Sequence, residues 1–324
     1  MTAPPPDTRV RPATEENIRE AARILRSGGL VAFPTETVYG LGADACNDAA
    51  VTRVFEAKGR PRFNPLIVHV PRPGDAGELV VFDERASRAA EAFWPGPLTM
   101  VLRRTAHCPV SLLASAGLDT LAIRVPASPV AREFLAATAR PVVAPSANRS
   151  TAVSPTTAEH VLQSLGSAVD LILDGGPCEV GIESTVIDLT ADPPLLLRPG
   201  GLERSAIEGV LGDLESPGRM NETELRSPGM LARHYAPERP IRLEALEVRE
   251  DEALLAFGPE PLPGAAITRN LSETADLREA AANLFRMMRE LDDPRVRSIA
   301  VMPIPRHGLG EAINDRLRRA ATPG

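Results

Sequence analysis

The chain has 324 residues, 43% of them hydrophobic and 24% charged, with a net charge of -7 and a pI near 5.4. That balance excludes a disordered chain, and the acidic total argues against a protein whose main task is to grip a nucleic-acid backbone, leaving room only for a weak, local RNA contact. Three separated cysteines without a CxxC pair, a polar Pro-rich start and no run of about 20 apolar residues predict a reduced, cytoplasmic protein with neither secretory signal nor membrane span.

In chain order, a helix is predicted over 14–27, with Thr14 as its cap, Ile18, Ala21, Ala22 and Leu25 on one face, and Gly28-Gly29 closing it. Apolar runs at 30–33, 66–70, 98–102, 121–125, 142–144, 171–173, 185–189 and 195–197 read as strands. Helical patterns at 84–93, at 129–138 after Pro129, and from a Thr156-x-x-Glu159 capping box to Gly166 lie between them. Interleaving of this kind predicts an α/β or α+β domain with a largely buried sheet over 13–211. Residues 212–240, with Ser-Pro-Gly turns and no apolar period, read as a linker, although its His234-Tyr235-Ala236-Pro237 is unusually specific for one. From 241 to 324, strands at 254–257, 265–268 and 299–302 and helices at 273–291 and 310–320 predict a small, doubly wound, Rossmann-like α/β domain.

Of the 36 basic residues, 35 are arginine and Lys58 is the single lysine. A compact ammonium and a planar fork do different work, so its retention marks a place where a guanidinium would not serve, or else is chance survival; composition does not decide. Five segments could carry chemistry. Phe33 to Gly42 runs from a strand into Thr35, Thr37, Tyr39 and glycines, where an α/β sheet opens its ligand crevice, or is an ordinary strand-to-turn junction. Lys58-Gly-Arg-Pro-Arg-Phe-Asn64 puts three cations in five residues, stiffened by prolines, as a polyphosphate would need or as a solvated basic turn would have. Arg124 stands mid-strand among apolar neighbours and needs a carboxylate, whether the protein's own or a ligand's. Ala144-Pro-Ser146-Ala-Asn148, with Ser154 after it, gathers hydroxyls and an amide at a helix start, for anion binding or for capping alone. Gly181-Ile-Glu-Ser184-Thr-Val-Ile-Asp188 and Leu197-Arg198-Pro-Gly-Gly201 complete the set.

In this order and spacing the five segments resemble the YrdC-domain family of threonylcarbamoyl-AMP synthases over residues 14–211. Ser227-Pro-Gly-Met, followed by His234-Tyr-Ala-Pro237, and the second α/β unit resemble the family's longer, two-domain form. The resemblance implies a twisted open sheet with a concave, positively lined cavity. The implied activity joins L-threonine, bicarbonate and ATP into threonylcarbamoyl-AMP and pyrophosphate, for the threonylcarbamoyladenosine of tRNA. It implies threonine contacts at Thr35, His69, Arg124, Ala144 and Ser184. It implies ATP contacts at Lys58, Arg60, Asn64, Thr120, Ser146, Asn148, Ser154 and Arg198, with Tyr235 in a lid. Lys58 and Arg60 carry the catalytic charge, Mg2+ accompanies ATP on ligands the sequence does not identify, and threonylcarbamoyl-transfer proteins acting on tRNA take the product.

No protein nucleophile is required, so the absence of a Ser-His-Asp or Cys-His set is consistent with this chemistry. Two positions depart from the family's pattern: Arg62 replaces a small hydroxyl residue, and Thr151 stands where glycine is common, which predicts strain if φ is positive there. The rival reading is a double-stranded RNA-binding or ribosome-maturation module without catalysis. Residues 1–212 carry 20 Arg and Lys against 24 Asp and Glu, which disfavours it. A carbamoyl-transfer domain of hydrogenase maturation would bring zinc-finger-like cysteines that this sequence lacks.

Overall fold

The computed structural model describes residues 9–61, 63–216 and 233–323. Arg62 and the 227–230 part of the linker motif lie outside the described residues. The first unit runs β1 (Val10–Pro12), α1 (Glu15–Arg26), β2 (Val31–Phe33), β3 (Gly40–Asp44), α2 (Asp48–Lys58), β4 (Ile67–His69), α3 (Pro73–Ala76), α4 (Glu84–Phe93), β5 (Leu98–Arg103), β6 (Thr120–Arg124), α5 (Pro129–Thr138), β7 (Val142–Val143), α6 (Ala158–Leu165), β8 (Leu171–Asp174), β9 (Thr185–Asp188), β10 (Leu195–Arg198) and α7 (Arg204–Leu211). Its ten strands form one mixed sheet in the order β1-β8-β2-β3-β7-β4-β6-β5-β9-β10. The second unit holds β11 (Ile241–Arg242), β12 (Glu252–Ala256), β13 (Ile267–Asn270), α8 (Leu277–Leu291), β14 (Ser298–Val301) and α9 (Leu309–Ala320), with an all-parallel sheet ordered β11-β14-β12-β13. Both sheets agree with the α/β expectation. Among the described residues no helix is long and apolar enough to cross a membrane, and the three cysteines are free.

Helix α1 forms as its sequence dictates. The Thr14 side chain accepts from the Asn17 amide, Glu15 and Glu16 face the positive end of the dipole, and Ile18, Ala21, Ala22 and Leu25 are buried against α5. Three local expectations need correction. The 33–42 segment does not end as a turn: β3 pairs antiparallel with β2, Gly42 opposite Val31 and Gly40 opposite Phe33. A Cβ on Gly42 would stand 3.0 Å from both the Phe33 ring and the Val31 carbonyl, so crowding between strands explains this glycine. The α6 cap is Thr157, not Thr156; its side chain accepts from the His160 amide. Helix α8 starts at Leu277, not 273, because Asp276 Oδ1 caps the Arg278 and Glu279 amides while Ser272 holds the preceding turn. Strands β1 and β11 and helices α2, α3 and α7 are additions to the elements the sequence predicts.

The two units share buried surface. One apolar core joins Ala281, Leu284, Phe285 and Ile313 of the second unit to Val38, Val153 and Ile182 of the first, with Tyr235 among them. Gly181 has φ +75°, and a Cβ there would lie 2.5 Å from the Cα of Ala282 in α8. Gly181→Ala is therefore expected to cost about 2 kcal/mol of stability, from backbone strain and overpacking together. A urea melt checks it, and an unchanged midpoint would show that the units do not meet this closely.

Candidate active site

Helix α2 delivers the first cation. Asn47 caps its start, accepting from the Ala49 and Ala50 amides, and Gly59 at φ +60° ends it, so Lys58 stands in the last turn, where carbonyl dipoles favour positive charge. Lys58 Nζ donates to the Ser146 and Asn148 carbonyls at 2.5 and 2.6 Å. Arg60 Nε and Nη2 donate to the Asn64 and Pro65 carbonyls at 3.3 and 3.0 Å. On the neighbouring strands, His69 of β4 is the register partner of Arg124 of β6. Arg124 donates from Nε to the Gly96 carbonyl, from Nη1 to Thr37 Oγ1 at 2.9 Å and from Nη2 to Glu36 Oε1 at 2.5 Å. Arg198, closing β10, donates from Nη2 to the Ser184 carbonyl at 2.8 Å and to Ser184 Oγ at 3.1 Å, and that hydroxyl also meets Thr99 Oγ1. Thr35 Oγ1 lies 2.8 Å from Thr37 Oγ1.

Four cations are thus withdrawn from water, with Lys58, Arg124 and Arg198 each 3% exposed and Arg60 7%. Neutral carbonyls hold much of this charge without cancelling it. Burial, and Arg60 after it, push the Lys58 ammonium well below its ordinary range, and burial brings Arg60 down to about 10. Burial, with Arg124 beside it, lowers His69 to about 3, so its ring is neutral near pH 7. Burial raises the Glu183 carboxyl, but Arg316, Arg198 and the Ser154 hydroxyl outweigh it and hold the group ionised below the usual carboxylate range. Several buried polar atoms have no partner among the described residues: both amide atoms of Asn64, Asn148 Oδ1, His234 Nδ1 and the Tyr235 hydroxyl. Such groups are rare in a finished interior and point to a ligand or to water.

The pocket between these groups is lined by the expected Arg60, His69, Arg124, Ala144, Ser146, Ser184, Arg198 and Tyr235. Lys58, Asn148 and Ser154 bond directly to its walls, Asn64 supplies an acceptor to Arg60, and Thr35 supports Thr37. Thr120 opens β6 opposite Arg103, about 13 Å along the strand from Arg124 and toward the Arg60–Pro65 end of the parallel β4–β6 pair. Thr37, noted in the sequence as a crevice hydroxyl, lines the pocket too, and so do Val38, Ile67, Pro145, Glu183 and His234, which the sequence placed inside its segments without assigning them a contact.

The linker closes this pocket. His234 and Tyr235 are buried in it and leave only about 40 Å3 free, against the several hundred Å3 that a small-molecule site normally offers. The lid is fastened where Thr151, a β-branched residue at φ +68°, presents its carbonyl to the Ala236 amide at 2.8 Å. The strain expected at Thr151 is therefore present. A wider groove of about 800 Å3 between α3 and α5 carries Arg72, Arg132 and Arg140 against Asp75, Glu78 and Glu133; its charges are mixed, and size alone does not make it the site. Among the described residues no cluster of three His, Cys, Asp or Glu side chains could hold a metal ion.

Comparison with known proteins points the same way. Residues 23–200 match the Sua5/YciO/YrdC family model described as "Telomere recombination", and 202–322 match that of the "Threonylcarbamoyl-AMP synthase, C-terminal domain". The chain is 42% identical to the threonylcarbamoyl-AMP synthase of Pyrococcus abyssi over 96% of each chain. It is 39% identical to that of Bacillus subtilis over 95% of this chain and 93% of the relative. The crystal structure of P. abyssi Sua5 complexed with L-threonine superposes with a TM-score of 0.88 at 38% identity, covering 96% of both chains.

The Arg124–Glu36 pair tests how the site is held. Arg124→Ala is expected to cost about 3 kcal/mol by stranding a buried carboxylate, and Arg124→Ala with Glu36→Ala clearly less. Equal costs by urea unfolding would contradict the pairing.

Proposed function

This chain belongs to the threonylcarbamoyl-AMP synthase family, in its two-domain form, and on that premise we propose that it joins L-threonine, bicarbonate and ATP into threonylcarbamoyl-AMP. What carries the reading is one pocket around which Lys58, Arg60, Arg124 and Arg198 are buried together against two buried carboxylates, Glu183 in its wall and Glu36 on Arg124. Positive charge in that excess suits a polyphosphate beside an amino-acid carboxylate.

The chemistry follows from the geometry. Arg124 takes the threonine carboxylate, with hydroxyls of Thr35, Thr37 and Ser184 around it. The neutral His69 beside Arg124 adds no charge to repel an amine. The threonine amine attacks bicarbonate, water leaves, and a carbamate remains. A carbamate oxygen then attacks the α-phosphorus of ATP and pyrophosphate departs. Lys58, Arg60 and Arg198 neutralise the phosphates as charge develops on the leaving group, so catalysis rests on positioning and electrostatics. Asn64, Thr120, Ser146, Asn148 and Ser154 contact the nucleotide.

Mg2+ arrives with ATP as part of the substrate, held by phosphate oxygens, because Glu36 is engaged by Arg124 and Glu183 by Arg316. With only about 40 Å3 free beneath Tyr235, the lid has to lift for ATP and close for reaction. Closure keeps water from the carbamate and the mixed anhydride. The product passes to threonylcarbamoyl-transfer proteins that modify tRNA. The non-catalytic RNA-binding alternative is not favoured, since it accounts for neither the enclosed pocket nor the named relatives.

Full-length protein with ATP, Mg2+, bicarbonate and L-threonine is expected to release pyrophosphate, and serine to support it poorly. Equal release without threonine would overturn the substrate assignment. Lys58→Ala should lower turnover by about 100-fold or more with an unchanged circular dichroism spectrum. Full activity in that variant would make the single lysine a bystander.

A further inference from the structure

The second unit has no share in the chemistry described so far, yet its last helix reaches the pocket wall. Arg316 in α9 is 0% exposed and lies at the boundary between the two units. Its Nε donates to Glu183 Oε2 at 2.8 Å, and its Nη1 donates to the Pro199 carbonyl at 2.9 Å and to Asp315 Oδ2 at 2.8 Å. The flat face of the guanidinium lies 5.1 Å from the centre of the Tyr235 ring, whose other neighbour is Phe285 of α8. Glu183 Oε1, the oxygen Arg316 leaves free, accepts from Ser154 Oγ. Through one side chain, α9 thus grips a pocket carboxylate, the backbone next to Arg198, and the lid tyrosine.

We propose that Arg316 is a positioning residue of the synthase pocket, holding Glu183 against Ser154 and giving the closed lid its landing surface, so that the second unit completes the active site. This rests on the synthase reading above. The contact is not simple glue between the units. Arg204 and Glu311 make a separate, half-exposed ion pair across the same boundary at 3.1 Å, and apolar packing already joins them. One nitrogen of Arg316, Nη2, meets no acceptor among the described residues, a cost that a purely structural bridge would not need to carry. A lysine could neutralise Glu183, but it could not also reach Pro199 and stack on Tyr235.

Charge gives the proposal its signature. Glu183 is faced by Arg316 and Asp315 from α9, Arg198 from β10, Lys58 from the end of α2, Tyr235 from the linker and the Ser154 hydroxyl. Arg316 is the largest of the influences that hold this carboxyl below its ordinary range. Without it the folded-state value rises, and Glu183 takes up a proton as the pH falls toward 5. Arg316→Gln should therefore lose activity relative to wild type increasingly as pH is lowered from 8 to 5.

The test compares full-length wild type, Arg316→Gln, Arg316→Lys and Arg204→Gln by pyrophosphate release, each confirmed folded by circular dichroism. Expected are a fall of at least about tenfold in kcat/KM for ATP at pH 8 in Arg316→Gln, deepening toward pH 5, and a similar loss without the extra pH dependence in Arg316→Lys. Arg204→Gln should keep the wild-type profile. Wild-type kinetics in Arg316→Gln or Arg316→Lys, or the same defect in Arg204→Gln, would overturn the proposal. Should Arg316→Gln fail to fold, Arg316→Lys against Arg204→Gln still decides. An inactive wild type would fault the synthase reading instead.

Discussion

Everything in this structure is arranged around the burial of positive charge. Removing a charge from water is unfavourable unless something replaces its hydration, and four cations are brought into one pocket here. Backbone carbonyls of Asn64, Pro65, Gly96, Ser146, Asn148 and Ser184 act as that replacement. Carbonyl dipoles orient a cation without cancelling it, so the cluster stays electron-poor and ready for a polyanion. The fold serves this end: α2 ends on Lys58, β10 ends on Arg198, and β4 and β6 run parallel so that His69 and Arg124 lie side by side.

The same constraint explains the lid. With His234 and Tyr235 lining it, the pocket keeps only about 40 Å3 free, and the cations lie beside aromatic rings and buried polar atoms that meet no partner among the described residues. Burial, reinforced by Arg60, Lys58, Arg198 and Arg316, pushes the His234 imidazole well below its ordinary value, so the lid adds no further charge. Where the lid is fastened, two non-glycine residues, Thr151 and Tyr235, lie in the left-handed region at φ +68° and +64°.

Much of this was legible in the sequence, for identifiable reasons. Helix α1 was plain because its cap, charges and apolar face agree. Lys58 stood out as the single lysine, and Arg124 as a lone charge within an apolar strand. Helix α2 was missed because its apolar face is short, resting on Val51, Val54 and Phe55 beside small residues. β3 was missed because Gly40, Gly42 and Ala43 lack the branched residues that mark a strand, their small size being imposed by Phe33 across the pairing. Glu183 and Arg316 were invisible as a pair because 133 residues separate them and only the docking of α9 joins them.

The central claim, that the pocket is a cation cluster built for a polyphosphate, is tested most directly by thermal melting with a non-hydrolysable ATP analogue and with adenosine, each at the same saturating concentration. A ligand that relieves the buried charge should raise Tm by about 5 °C, while neutral adenosine leaves it within a degree. An equal shift with adenosine, or none with the analogue, would contradict it.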